Sequence, residues 1–273
     1  MGIKIFVDSG SSIKLEEKEK YNVEIIPLKI LLDGKEYSDG VDLSMDVFYD
    51  ALINKNQFPK TSLPNLVEVE KRVNECVNNG DDVIILTISS GISGTYNSMR
   101  MLFEDNKKVK VVDSKTAVGG MKIIVHEINK YKDQPIEFVM EKIEAIIPKI
   151  RVYAVPETLN YLHKGGRLSK VGYVAGTILN LKPVIELRNT VSVASKQVGL
   201  VRAMRYLTSM LETADVNYPI VPSYTYESDN LEKLISKVEK QYSDAMIEKD
   251  NLDPAIAAHW GPNAFGFIFV AKE

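Results

Sequence analysis

Apolar and polar positions along the chain change period several times, and each change predicts an element. Ile3–Val7 is a short, nearly continuous apolar run stopped at Asp8-Ser9-Gly10, the pattern of a buried strand ending in a turn. Val23–Ile26 predicts a second strand. Leu28–Leu32 and Lys35–Tyr37 flank Asp33-Gly34, a strong hairpin signal. Ser44 suits the cap of a short helix carrying Val47, Phe48 and Leu52. After Thr61-Ser62, Pro64 is placed to open a helix in which Leu66, Val69, Val73, Cys76 and Val77 recur at helical spacing, up to Asn79-Gly80.

Val83–Ile88 is the clearest buried strand, and it runs into Ser89-Ser90-Gly91-Ile92-Ser93-Gly94-Thr95. A helix with Tyr96, Met99 and Phe103 on one face follows, then a strand at Val109–Val112 and a helix from about Gly119 to Lys130. Pro135 opens an amphipathic helix with Ile136, Val139, Met140, Ile143, Ile146 and Ile147 on one stripe. Alternation of strand and helix implies a mostly parallel sheet with helices on both faces.

The second half reads differently. A strand at Val152–Val155 and a short helix at Thr158–Leu162 lead to Gly165-Gly166. Val184–Leu187 and Val191–Ala194 flank Arg188-Asn189 as an antiparallel hairpin. Helices are expected at about Leu200–Leu211 and Asn230–Tyr242, and strands at Ala255–Ala258 and Phe267–Val270. The expected fold class is therefore α/β with two domains. Residues 1–150 form a Rossmann-like domain, and residues 151–273 form an α/β domain with an antiparallel sheet backed by helices.

Composition narrows the function. The chain has 273 residues, 45% apolar and 26% charged, as a globular protein does. No apolar run approaches the roughly 18 residues that suggest a membrane span, so no stable membrane insertion is expected. The N-terminal run is broken by Lys4 and Asp8, unlike a signal peptide, and the single Cys76 suits a reducing compartment; the expected location is cytoplasmic. A net charge of −3 argues against nucleic acid as a partner. Three scattered histidines and one cysteine give no metal-ligand spacing, and neither G-x-G-x-x-G nor G-x-x-x-x-G-K-[ST] is present.

The segment Ser89–Ser98 carries the clearest chemistry. In an open α/β sheet, ligands bind beyond the carboxyl ends of the strands. A helix starting at Gly94 or Thr95 directs unpaired N–H groups and the positive end of its dipole at that crevice, which makes an anion site. Ser93 stands where an N-cap hydroxyl would be, and Gly94 lets a ligand approach the backbone. Capping of its own helix explains Ser93 equally well, and both roles stay open on this segment. Gly91-Ile92-Ser93-Gly94-Thr95 also approaches the G-x-S-x-G nucleophile elbow, failing at Thr95, which leaves a serine hydrolase with Ser93 as nucleophile as the alternative function. Gly165-Gly166-Arg167 is a sharp turn presenting a guanidinium, suited to a phosphate or carboxylate or simply to solvent. His259, beside the single tryptophan at an expected strand end, could reach a ligand or sit satisfied in the core.

Together these stretches resemble the DegV family of fatty-acid-binding proteins over nearly the whole chain. Val7-Asp8-Ser9, Thr61-Ser62-Leu63-Pro64, Ile88 through Tyr96, Val112-Asp113-Ser114, Tyr161-Leu162-x-Lys164-Gly165-Gly166-Arg167-Leu168-Ser169 with Leu181-Lys182-Pro183-Val184, and His259-x-Gly261-Pro262 follow the family's order. Leu63 replaces a frequent Gln, Trp260 and Asn263 alter the His-x-Gly-Pro-Gly pattern, and Lys196–Arg202 is poorer in charge than the family's basic stretch. The resemblance implies a DegV-like two-domain protein, a carrier without catalysis of its own. One long-chain fatty acid, palmitate- or oleate-like, lies in a tunnel between the domains, with no other cofactor. Thr61 and Ser93 hold its carboxylate, aided by Ser62, the Gly94 amide and His259. It also implies an ATP-binding fatty acid kinase as partner, which phosphorylates the bound carboxylate, with Arg167 contacting that partner or the phosphate. Two hydroxyls and helix N–H groups would then offset desolvation of the carboxylate without a buried Lys or Arg.

Overall fold

The computed structural model describes residues 2–168, 180–227, 229–242 and 246–272; Ser169 and Lys170 of the second signature lie outside the described residues. The strands are β1 (Ile3–Asp8), β2 (Glu24–Ile26), β3 (Lys29–Leu32), β4 (Lys35–Ser38), β5 (Lys60–Ser62), β6 (Asp82–Thr87), β7 (Val109–Asp113), β8 (Ile150–Val155), β9 (Leu181–Arg188), β10 (Thr190–Val198), β11 (Val221–Tyr224), β12 (Asp250–Asn251) and β13 (Phe265–Val270). The α-helices are α1 (Lys18–Tyr21), α2 (Met45–Tyr49), α3 (Leu66–Asn78), α4 (Thr95–Leu102), α5 (Gly119–Lys130), α6 (Ile136–Ile146), α7 (Asn160–Lys164), α8 (Leu200–Met210), α9 (Asp229–Gln241) and α10 (Pro254–Trp260).

Among the described residues three sheets result. The parallel sheet runs β2-β1-β6-β7, the six-stranded sheet runs β10-β9-β8-β13-β11-β12, and β4-β3-β5 forms a small antiparallel sheet. The six-stranded sheet is antiparallel except for the β11–β12 pair. Side-chain alternation explains the layering. Phe6, Val83 and Ile85 face α3 and α4 through Val69, Val73 and Met99. Ile5, Val7, Ile84 and Leu86 face the other way, onto α5 and α6. The apolar stripes of α5 and α6 therefore sit between two sheets, because Val152, Val221, Ile268 and Val270 of the six-stranded sheet close over the same core. Alternate residues of β13, Phe265, Phe267 and Phe269, point to the far side, where α8 and α9 cover them.

Three expected features differ. The helix after Thr61-Ser62 starts at Leu66 with Asn65 as its N-cap, so Pro64 precedes it instead of opening it. Ala255–Ala258 is part of a helix, not a strand: Pro254 sits at its first position, and alanines favour the helix. The small alanines of α10 also let it pack closely on Leu28, Ile30 and Leu32 of the three-stranded sheet region. The helix after Ser93 starts at Thr95 with Gly94 as N-cap, so Ser93 precedes the cap position it was expected to occupy. Its hydroxyl still accepts from the Thr95 N–H at 3.3 Å.

Candidate functional site

In the order β2-β1-β6-β7 the connections leave β1 in opposite directions, so the topological switch point lies between the carboxyl ends of β1 and β6. Asp8 ties those two ends together. One oxygen accepts the Gly10 N–H at 2.9 Å and the other the Ile88 N–H at 2.8 Å. Complete burial, opposed by those two bonds, pushes its carboxyl up to about 7.

Beyond this switch point lies a partly open cavity, about 540 Å³ counting the solvent-open space at its mouth, whose polar lining is Thr61, Ser93, Arg167 and His259. Four segments far apart in sequence supply these side chains. Thr61 comes from edge strand β5, which pairs Thr61 with Ile30. Ser93 comes from the loop after β6, Arg167 from the turn after α7, and His259 from the last turn of α10. The loop is rigidly held. The Ser93 and Ile92 N–H groups both donate to the Ser89 carbonyl, and the Ser90 N–H donates to Asp113 at 3.0 Å. Ser89 Oγ donates to the Asn189 carbonyl at 2.6 Å, which latches the tip of the β9–β10 hairpin onto the loop. Asn189 takes the left-handed conformation at that tip, with φ 64°. Gly91 lies against it so closely that a Cβ there would overlap the Asn189 carbonyl.

Each hydroxyl is backed by a second polar group. Thr61 Oγ1 lies 2.9 Å from His259 Nε2, and Ser93 Oγ lies 2.9 Å from Thr95 Oγ1. Burial, with the positive charge of Arg167 nearby, pulls His259 down to about 3, so the ring is neutral at physiological pH. Arg167 donates from Nε to the Ile92 carbonyl at 3.0 Å and from Nη1 to the Gly165 carbonyl at 2.6 Å. Burial pulls its pKa down as well. These bonds fix the guanidinium on the wall of the cavity. A cation therefore borders the site that hydroxyls and helix N–H groups alone were expected to form. Arg167 is also joined to the Ser93 loop itself through Ile92.

Ser62 and Gly94 are exposed and flank the polar end without lining the cavity. The nucleophile–base pair that a serine hydrolase needs is not assembled among the described residues: Ser93 pairs with Thr95 and His259 with Thr61. His126 stands on α5 beside Glu248 instead, at 3.6 Å. No group of three or more His, Cys, Asp or Glu side chains suited to a metal occurs among the described residues. No described helix is long and apolar enough to cross a membrane.

The apolar wall was not legible from the sequence. Leu28, Ile88, Ile92, Ala117, Leu187 and Trp260 contribute to it, and their patterns mark them only as core. A second partly open cavity, about 390 Å³ counting solvent-open space, adjoins the first, sharing Ala117, Leu187 and Trp260. Val118, which lines it, is held at φ 45°, an outlier for a β-branched residue, with its N–H bonded to the Gly10 carbonyl at 2.7 Å.

This fold, with a largely apolar cavity at the switch point of a parallel sheet roofed by a second sheet, defines a mixed α/β protein with a candidate ligand site. The family model described as "Uncharacterised protein, DegV family" matches residues 2–272, and the chain belongs to the DegV family. A DegV domain-containing protein of Clostridium acetobutylicum is 29% identical, covering 99% of each chain. Among solved structures, the fatty acid binding DegV family protein of Streptococcus agalactiae is 26% identical with a TM-score of 0.90, covering 100% of both chains. A DegV family protein of Thermus thermophilus, described for its fatty acid binding, is 25% identical with a TM-score of 0.88, covering 99% of this chain and 100% of its own. A stearic acid-binding protein of Eubacterium ventriosum is 26% identical with a TM-score of 0.86, covering 99% of this chain and 98% of its own.

Proposed function

We propose that this protein carries one long-chain fatty acid, its carboxylate held in the cavity by Thr61, Ser93 and Arg167. The observation that carries the reading is the convergence of two backed hydroxyls and one guanidinium on an otherwise apolar cavity at the switch point. With the neutral His259 ring protonated on Nε2, the ring donates to Thr61 Oγ1, and the Thr61 hydroxyl hydrogen is free for a carboxylate oxygen. Thr95 can donate to Ser93 in the same way and free the Ser93 hydrogen. Arg167 supplies the opposite charge that a half-buried carboxylate needs. Burial of the acyl chain contributes about 0.8 kcal/mol per CH₂. The fatty acid ligands of structurally similar DegV proteins support the same reading.

In this reading residues 1–150 supply most of the carboxylate site, and residues 151–273 complete the enclosure of the chain. Ser62, Leu63 and Gly94 are all exposed beside the polar end, so the acid group lies next to the surface, within reach of a second protein. The carrier would present the carboxylate there to a separate ATP-dependent fatty acid kinase. A carboxylate oxygen attacks the γ-phosphorus of ATP, ADP leaves, and an acyl phosphate forms; the carrier itself moves no bond.

Native mass spectrometry of the protein from a bacterial host, with lipid extraction after denaturation, tests the carrier reading. One bound fatty acid per chain, lost in the Thr61→Ala Ser93→Ala variant, is the expected result. An empty protein that also refuses added palmitate and oleate would overturn it.

A further inference from the structure

The two adjoining cavities divide the space unequally in chemistry. The first holds Thr61, Ser93, Arg167 and His259, whereas the second is walled almost wholly by apolar groups such as Val118, Val152, Leu252 and Phe267. Three residues belong to both walls: Ala117, Leu187 and Trp260. Among the described residues, these three form the border between the two cavities, which an acyl chain anchored at the polar end would pass to reach the second.

We propose that Trp260 is the partition between a head chamber and a tail chamber, and so the residue that sets the acyl length this protein prefers. The inference rests on the fatty acid reading above. Of the three shared residues, Ala117 has the shortest side chain, and Leu187 is buried in the β9 strand within the central core. Trp260 is half-buried, ends α10, and presents the largest side chain to the divide. Its backbone is fixed from behind. Gly261 follows at φ 73°, pressed so closely on the Tyr161 ring that a Cβ there would overlap it. Removing the indole therefore opens the divide without releasing the chain on either side of it. The next residue inward, His259, remains bonded to Thr61, so the polar end is unaffected.

Chain lengthening into an open apolar channel improves affinity by about fourfold per methylene, and a partition cuts that gain off. The test is calorimetric titration of delipidated protein with decanoic and stearic acids. The stearic-to-decanoic affinity ratio is expected to rise at least tenfold in Trp260→Ala and to fall at least tenfold in Ala117→Leu, which adds bulk at another residue shared by both walls. Circular dichroism and thermal melting check that each variant folds, and Trp260→Leu replaces the alanine variant if that one does not. Wild-type binding with ratios unchanged within twofold in the variants overturns the partition and leaves the carrier reading intact. No binding of either acid to the wild type overturns both.

Discussion

Thr61 Oγ1 and His259 Nε2 meet at 2.9 Å although 198 positions separate them in the chain. The contact joins the edge of the three-stranded sheet to the last turn of α10 and gives Thr61 a fixed hydroxyl direction. Because burial holds His259 neutral, with its pKa near 3, the contact persists across the physiological range. Thr61→Val keeps the size of the side chain and removes the hydroxyl. A hydrogen bond to a charged group is worth about 1.5–3 kcal/mol, so palmitate affinity should fall roughly 10- to 150-fold. Isothermal titration on delipidated protein measures this, and an affinity unchanged within twofold refutes the role of Thr61.

If Arg167 holds the carboxylate, it should distinguish an acid from its neutral analogue. Arg167→Gln should weaken palmitic acid about tenfold or more while leaving hexadecanol nearly unaffected, since only the acid uses the charge. Equal losses for both ligands in a competition assay would assign Arg167 to packing, through its bonds to the Ile92 and Gly165 carbonyls.

The hairpin latch is tested at Gly91. A methyl group there overlaps the Asn189 carbonyl, which already accepts from Ser89 Oγ. Gly91→Ala should lower stability by about 1–3 kcal/mol, as overpacking does, and weaken fatty acid binding because the loop carries Ser93. Urea unfolding and titration of the same variant measure the two effects. Unchanged stability would show that the hairpin tip yields freely.

Stability should depend on pH through the buried carboxylates near the start of α10. Asp39 accepts the Ala255 N–H at 2.9 Å. Burial, and next the charge of Asp253, push it up from its ordinary 3.8 to about 7, while Lys14 pairs with Asp253. The folded state thus holds a proton that the unfolded state has released between about pH 4 and pH 7. That contribution is fully present below pH 4 and is lost as pH rises through 7. Asp39→Asn keeps the acceptor for Ala255 and does not titrate, so its melting temperature should fall less than that of the wild type between pH 5 and pH 8. Asp8, raised to about 7, and Asp250, raised to about 6, leave a residual slope in the variant. Parallel melting curves for the two proteins would refute the assignment to Asp39.

Elements with strong periodicity were legible before any fold was known. The run Val83–Ile88 predicts β6 to within one residue, and the Arg188-Asn189 turn marks the β9–β10 hairpin. Local pattern carries that information because neighbours at i+2 or i+4 share a face whatever the rest of the chain does. Elements made by tertiary pairing were not legible. Val221–Tyr224, with Pro222 inside it, has no clear strand pattern, yet it lies between β13 and β12. Lys60–Ser62 is a strand because β3 offers it an edge. Ala255–Ala258 looks like a strand and is a helix.

The site divides in the same way. By itself the sequence determined its vocabulary: a serine-rich loop after a buried strand, Thr61-Ser62, a guanidinium on a glycine turn, a histidine near the chain's end. Only the tertiary structure decided that Arg167 lines the cavity, that Thr95 and His259 back the two hydroxyls, and that Trp260 borders both cavities. The physical reason is that a hydroxyl's partner and a cavity's wall depend on which faces of distant elements pack together, and nothing in the local period records that choice.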